Sequence, residues 1–388
     1  MLPLENDLSQ AKAIQSQFLQ ELAELVNIDS GTDDKPGVDL VGVTLQRRME
    51  QAGFTVTVHQ EEQYGNHLVG RITGSGSRHL LLVGHMDTVY PKGEAERHPF
   101  SIRDGKAYGP GIFDMKSGVL AAITALELAG TAILQRFASI TMICNSDEEV
   151  GSPSSTPLIR SIASTMDAVL VFEPSRSQNY VVIGRKGIAT YTLDVTGLSS
   201  HAGVTPDTGR NAILELSHLI IQLQAIHKSI ATVSVNVGAV SGGGRRNVVP
   251  AQAQALFEMR AATVEAFAAG KVAIQAVIDQ PRFVPDTTVK LTSGPEHGPL
   301  QPHANSQIMV DLASKVATDF GIVLHPRSIG GASDANTTGS MGIPTLDGLG
   351  LVGQHSHNPD EHIIIDEIPQ RLAFIARLIR SIAMAEHL

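Results

Sequence analysis

Histidine and aspartate two residues apart, at the end of an apolar run, are the first residues able to do chemistry. In LLLVGHMDTV (80–89) the run 80–83 reads as a buried strand, then Gly84 leads into His85 and Asp87. In extended chain, residues i and i+2 point to the same side. His85 and Asp87 then face one space at a strand's carboxyl end, where open α/β sheets place ligands. The plainer alternative is a polar loop whose aspartate caps the next turn.

Other apolar runs end the same way. CNSDEEVGS (144–152) delivers Asp147, Glu148 and Glu149, VFEPS (171–175) delivers Glu173, and the glycine-rich GPGIFDMKSG (109–118) carries Asp114. One acid at a strand end is most often a helix cap. Four such places on one sheet edge are harder to explain, because so many ionised carboxylates cannot share a cavity unless cations offset them. A metal site follows. Imidazole with carboxylate suits zinc, and also manganese or cobalt; no thiolate is offered. Two metals need a second histidine, and GQHSHNPDEHIIID (353–366) offers His355, His357 and His362.

These residues must be positioned by elements, and the chain divides into two textures. Up to about residue 183 strands and helices alternate. Helices are predicted at 8–27, 37–53 and 117–130, and strands at 54–60, 66–72, 80–83, 138–145 and 167–173. This pattern predicts an α/β fold with a mainly parallel central sheet flanked by helices. From 184 to 293 the strands 186–197, 231–243, 251–263 and 287–293 alternate apolar and polar residues around helices at 209–226 and 263–279. That reads as an inserted α+β domain. The α/β texture then resumes, so 1–183 and 294–388 form one domain and 184–293 a second, joined by two crossings that make hinge motion an expectation.

Composition bounds the function. The 388 residues carry 39 acidic and 29 basic side chains, a net charge of −10 that argues against nucleic acid as partner. Cys144 is the only cysteine, so no intrachain disulfide can form. The first 30 residues lack the basic-then-apolar pattern of a signal peptide, and no apolar run reaches the ~20 residues of a membrane span. Cytoplasmic location is expected.

GHMDTV, YGPGIFDMKSG, NSDEEVGS, VFEPS, SSHAGVTPDTGRNAI, NVVPAQAQALFEMR, GGASDAN and HNPDEHI occur in this order. Together they resemble the M20 family of co-catalytic metallopeptidases and deacylases, and within it the glutamate carboxypeptidase group. The resemblance implies an α/β metal-binding domain with an inserted lid that also dimerises. It implies His85 and Glu173 on one metal, Glu149 and His357 on the other, and Asp114 bridging. Asp87 would hold the imidazole of His85, and Glu148 would be the general base acting on a bridging hydroxide. Two dications, most simply Zn2+, bring +4 against −3 from the three ligating carboxylates, and hydroxide completes neutrality. His357 is preferred to His355 because H-N-P-D-E, with Glu361 four residues on, matches the family form; His362 is expected at the surface. Glu148 and Glu149 are adjacent, so in extended chain their side chains diverge to separate tasks.

In the inserted domain, His201 resembles a residue that stabilises the oxyanion from the partner subunit, and Asn247 and Arg260 resemble residues contacting substrate. The alternative for 199–212 is a turn capped by Asp207 and Asn211. Gly330 and Gly331 would bring backbone N–H groups to a substrate carboxylate; a phosphate loop is disfavoured because no GK[ST] follows. The apolar edge strand 232–240 with Ile213, Leu216 and Ile220 would form the homodimer surface. The expected activity is carboxypeptidase-like amide hydrolysis releasing an amino acid such as glutamate. The main alternative is an N-acyl-amino-acid deacylase of the acetylornithine or succinyl-diaminopimelate type. A phosphoesterase and a non-catalytic binding protein are remoter. Residues 291–300 carry no arginine to grip a second carboxylate, which weakens the glutamate preference.

Overall fold

The structure is a computed structural model and describes residues 3–386. It divides into two compact units, one of residues 1–184, 302–329 and 333–388, the other of Arg185–Gln301 with Gly330–Ala332.

The first unit is built on a six-stranded sheet in the order Thr55–His59, His67–Thr73, Phe137–Asn145, Arg78–His85, Ala168–Val171, Thr345–Leu346. The last four strands are parallel, and the first two pair antiparallel at one edge. Arg78–His85 and Phe137–Asn145 are buried along most of their length, as strands covered on both faces must be. Register decides the rest. Val83 lies opposite both Ile143 and Val171, and His85 opposite Asn145. Residues that follow these strands therefore emerge at one level on one edge.

Helices cover the sheet. Ser117–Ala129 is apolar apart from Ser117, Thr124 and the exposed Glu127 and is almost wholly buried, as its Ala/Leu-rich sequence requires. Against it pack Leu4–Val26 and the C-terminal helix Ile368–Met384, which also packs on Ala304–Asp319. That C-terminal helix buries three arginines. Arg377 and Arg380 each reach buried Asp7 at 2.6 Å, and Arg371 donates to the carbonyls of Gly348 and Gly350. A small antiparallel sheet, Gly353–Gln354, His362–Ile364, Lys106–Tyr108 and Ser101–Arg103, pairs Tyr108 with His362. It ties the glycine-rich loop after Tyr108 to the histidine-bearing loop before His362, a link of 254 residues in sequence that no local pattern showed. No helix among the described residues is long and apolar enough to cross a membrane.

The second unit is a four-stranded antiparallel sheet, Val233–Gly242, Gln252–Ala261, Gly187–Thr196, Thr288–His297. Its strands alternate buried and open positions, and helices Ala212–Gln224 and Val264–Ile278 share the buried core. Asn211 caps the first helix through Leu214 N–H. The expected end of this domain, 293, falls inside the strand Thr288–His297, and the unit runs on to Gln301. It also takes Gly330–Ala332, because Arg260 donates to the Gly330 carbonyl and Arg185 to those of Gly331 and Ala332.

Candidate metal centre

His85 ends its strand wholly buried, and Asp87 beyond it is buried too. The imidazole Nδ1 lies 3.0 Å from the Asp87 backbone carbonyl and 3.4 Å from its carboxylate. The hydrogen bond that orients the ring is therefore to the carbonyl, which leaves Nε2 facing the site. The expected contact to the Asp87 carboxylate is the longer one, because that carboxylate has other partners. It accepts from the Thr32 hydroxyl at 2.7 Å and from the backbone N–H groups of Glu148 and Glu149 at 3.2 Å each. Asp87 thus also holds the segment that carries both glutamates.

That segment is not extended. Glu148–Val150 forms a single tight turn. Asp147 anchors it from behind, accepting from the N–H and hydroxyl groups of Ser154 and Ser155. The turn, rather than strand alternation, separates the two side chains. Glu148 comes to 3.9 Å from His85 Nε2, and Glu149 to 3.2 Å from His357 Nε2.

Asp114 stands between the two imidazoles. Its Oδ1 is 3.3 Å from His85 Nε2 and its Oδ2 3.4 Å from His357 Nε2. It lies in the irregular turn Ile112–Lys116, where the Asp114–Met115 peptide is cis. Glu361 holds that turn: its buried carboxylate accepts from the N–H groups of Gly111, Phe113 and Asp114 and from the Tyr90 hydroxyl. Sequence reasoning used Glu361 only as a pattern mark; its spacing of four from His357 was the available signal. Glu173, mostly buried, approaches His85 Nε2 to 3.9 Å. Gly118 permits this approach, since a Cβ there would meet the Phe172 carbonyl at 2.1 Å.

Electrostatics follow from this crowding. Burial opposes charge on His85, but the nearby carboxylates of Asp114 and Asp87 outweigh it and hold the imidazole well above its usual value. His357, bonded to Asp114 and Glu149, is raised to about 10. Burial pushes Asp114 up, yet bonds to His357 and His85 bring its carboxyl below the usual carboxylate range. Burial, then the charge of Glu173, raises Glu148 well above an ordinary glutamate, and burial raises Glu149. Burial also brings Glu361 up to about 7 and Lys116, which donates to the Ile28 carbonyl, down to about 7.

The donor set fits divalent metal. His85, Glu148 and Glu173 offer ligand atoms within 4.8 Å of one another, as do His85, Asp114 and Glu149. His85 Nε2 and Glu149 Oε1 are buried and make no hydrogen bond among the described residues. His355 lies outside this group. It is exposed, with its ring 5.5 Å from that of His362. His362, expected at the surface, is buried, because its strand is paired on both sides and its ring packs on Tyr108.

In the second unit, exposed His201 accepts the Gly203 N–H at Nδ1, 3.1 Å, so the neutral ring carries its proton on Nε2. Asn247 lies on the adjoining turn, its carbonyl accepting from Ala202. Arg260 is paired within its own strand. Glu258 engages its Nε at 2.7 Å and its Nη2 at 3.3 Å, and Nη1 goes to Gly330. Gly330 and Gly331 thus serve arginines through their carbonyls. Leu216, expected on the dimer surface, is core; Ile213 remains open and Ile220 is partly buried.

The chain is similar to known proteins along most of its length. A sequence signature described as Peptidase family M20/M25/M40 covers residues 81–381. Carboxypeptidase G2 of Pseudomonas sp. (strain RS-16) is 34% identical over 370 residues, 94% of this chain and 89% of that protein. Succinyl-diaminopimelate desuccinylase of Dechloromonas aromatica (strain RCB) is 27% identical over 365 residues, 88% of this chain and 93% of that protein. The aminopeptidase PepT structure from Bacillus cereus superposes with a TM-score of 0.77 at 22% identity, covering 95% of this chain and 99% of that one. The chain is a metal-dependent hydrolase and belongs to Peptidase family M20/M25/M40.

Proposed function

We propose that the protein hydrolyses the amide bond next to a free carboxylate, releasing a C-terminal amino acid such as glutamate. One observation carries this reading: four carboxylates converge on two imidazoles, with Asp114 offering one oxygen to each. His85 and Glu173 would hold one divalent ion, Glu149 and His357 the other, and Asp114 both. When bound, such a pair polarises a carbonyl and lowers the pKa of water. Zinc is the proposed metal, on the histidine–carboxylate donor set.

Glu148 accepts a proton from the attacking water and returns it to the leaving nitrogen. Its burial beside Glu173 raises its affinity for a proton, which suits it to take one from water and pass it on. Asp87 fixes the backbone under Glu148. His201 donates from Nε2 to the developing oxyanion, and Asn247 supports it. Similarity to a carboxypeptidase at 34% identity favours the carboxypeptidase reading. Similarity to desuccinylases favours an N-acyl-amino-acid deacylase as the second reading. Assembly as a homodimer through the edge strand Val233–Gly242 is proposed, its second half being exposed. A cytoplasmic location is proposed on the single buried, free cysteine.

The test is amine release from X-Glu dipeptides and N-acyl-glutamates against N-acetylornithine and N-succinyl-diaminopimelate, with zinc, manganese or cobalt and a chelator control. Chelator-sensitive cleavage of the first set supports the carboxypeptidase. Preference for the second set replaces it with the deacylase.

A further inference from the structure

One buried imidazole nitrogen outside the metal centre has no use in the reaction described above. His362 is 3% exposed, and its Nε2 makes no hydrogen bond among the described residues. The residue opens the short strand His362–Ile364, between Tyr108 and Gln354 on the neighbouring strands. Its Nδ1 stands 2.8 Å from the Asp360 carbonyl. A carbonyl only accepts, so Nδ1 carries the ring proton and Nε2 is left as a bare lone pair. Burial lowers the pKa of this ring, which keeps it neutral at neutral pH.

A buried polar atom without a partner is rare in a folded protein. An imidazole that gives one N–H to a backbone carbonyl and keeps the other nitrogen bare is oriented as metal-bound histidines are. His85 is held in the same way, with Nδ1 at the Asp87 carbonyl and Nε2 unpartnered. Beside His362 stands a second imidazole. The His355 ring centre is 5.5 Å from that of His362, with the planes tilted by 48°. Two imidazoles sharing one tetrahedral ion, at about 2.0–2.1 Å per nitrogen, have ring centres roughly 5 Å apart. His355 follows the strand Gly353–Gln354 at φ +65° and is exposed, so an ion reaches it from solvent. Neither of its nitrogens has a hydrogen-bond partner among the described residues. The nearest charges on His362, Lys106 and Asp360, are opposite in sign. Both histidines belong to the first unit.

We infer that His355 and His362 form a further transition-metal site, separate from the carboxylate-rich centre, for an ion such as Zn2+, Ni2+ or Cu2+. Imidazole suits these ions, whereas Mg2+ and Ca2+ take oxygen ligands. With two protein ligands and water in the remaining positions, the site is weaker than the centre and fills only in excess metal. Once filled, it ties the loop after Gln354 to the strand His362–Ile364. The inference does not rest on the hydrolase reading.

The experiment starts from the full-length protein loaded with zinc and desalted to remove loosely held ion. Ni2+ is then added and its binding followed by calorimetry. The native protein is expected to take one further equivalent. His355→Ala should weaken that binding by more than the roughly tenfold to hundredfold lost when only a ligand's support is removed. His355 is exposed, so this replacement does not disturb the core, and His325→Ala, at another exposed histidine, should leave the equivalent in place. Mg2+ in place of Ni2+ should add nothing. With Cu2+ as the probe, electron paramagnetic resonance should show coupling to two imidazole nitrogens in the native protein and to one in His355→Ala. No further equivalent in the native protein, or one that His355→Ala leaves unchanged, overturns the inference. The zinc content at the start reports on the dinuclear centre separately. Two zinc ions without His355-dependent nickel remove this site alone. His355-dependent nickel without two zinc ions keeps this site and removes the dinuclear reading.

Discussion

Glu148 and His357 are the side chains on which the chemistry can be tested most directly. Glu148→Gln is expected to lower kcat by about a thousandfold, within the range for general acid–base groups, with metal content by mass spectrometry unchanged. A parallel loss of metal would make Glu148 a ligand instead, which its distance of 3.9 Å from His85 Nε2 also permits geometrically. His357→Ala should reduce metal stoichiometry from two to one, and His355→Ala should leave it at two. The two histidines lie two residues apart, and both sit at positive φ, +65° and +61°. Nothing local separates them. Only the approach of Asp114 and Glu149 to His357 does, and those partners come from 243 and 208 residues away.

Turns and strand ends, rather than whole helices, hold the centre in shape. Glu361 gathers the N–H groups of the Asp114 turn, so Glu361→Ala strands three donors. Metal affinity, measured by chelator competition, should fall about tenfold to a hundredfold, as for other groups that orient ligands. His67 supports the Glu148 turn from the neighbouring strand, with Nδ1 3.0 Å from the Ser146 hydroxyl and Nε2 3.0 Å from that of Ser154. Burial lowers its pKa below 6.5, so the fold prefers the neutral ring. Its contribution is therefore complete above pH ~6.5 and is lost as pH falls through the lower folded value. Thermal melts between pH 7 and 5 should show a shallower acid loss in His67→Gln than in the native chain; equal slopes would remove His67 from the acid response.

At the scale of the molecule, the proposed metal ligands are confined to one unit. All five proposed ligands belong to the first unit. Chelation should lower the melting transition of that unit and leave the second unit's transition in place, which calorimetry resolves. The first unit is also locked by Asp7, buried between Arg377 and Arg380. Asp7→Ala leaves the buried Arg380 guanidinium without its carboxylate, while Arg377 keeps Asp319 at 2.7 Å. It should cost about 3–5 kcal/mol in denaturant unfolding, the range for breaking a buried pair.

The sequence by itself determined the fold class, the buried parallel strands, the acids at their ends and the family. Each of these depends on residue type and short-range periodicity, which the chain carries locally. The second unit's alternating strands were legible as well. Tertiary structure decided what depends on distant partners. Asp87 turned its carboxylate to Thr32 and the Glu148–Glu149 backbone. The Glu148–Val150 turn replaced an extended segment, and pairing on both sides buried His362. Arg185 and Arg260 drew Gly330–Ala332 into the second unit, and Glu258 pairs with Arg260. A hydrogen bond between residues tens or hundreds of positions apart leaves no periodic trace, because the chain's path, not its local propensity, brings the two groups together.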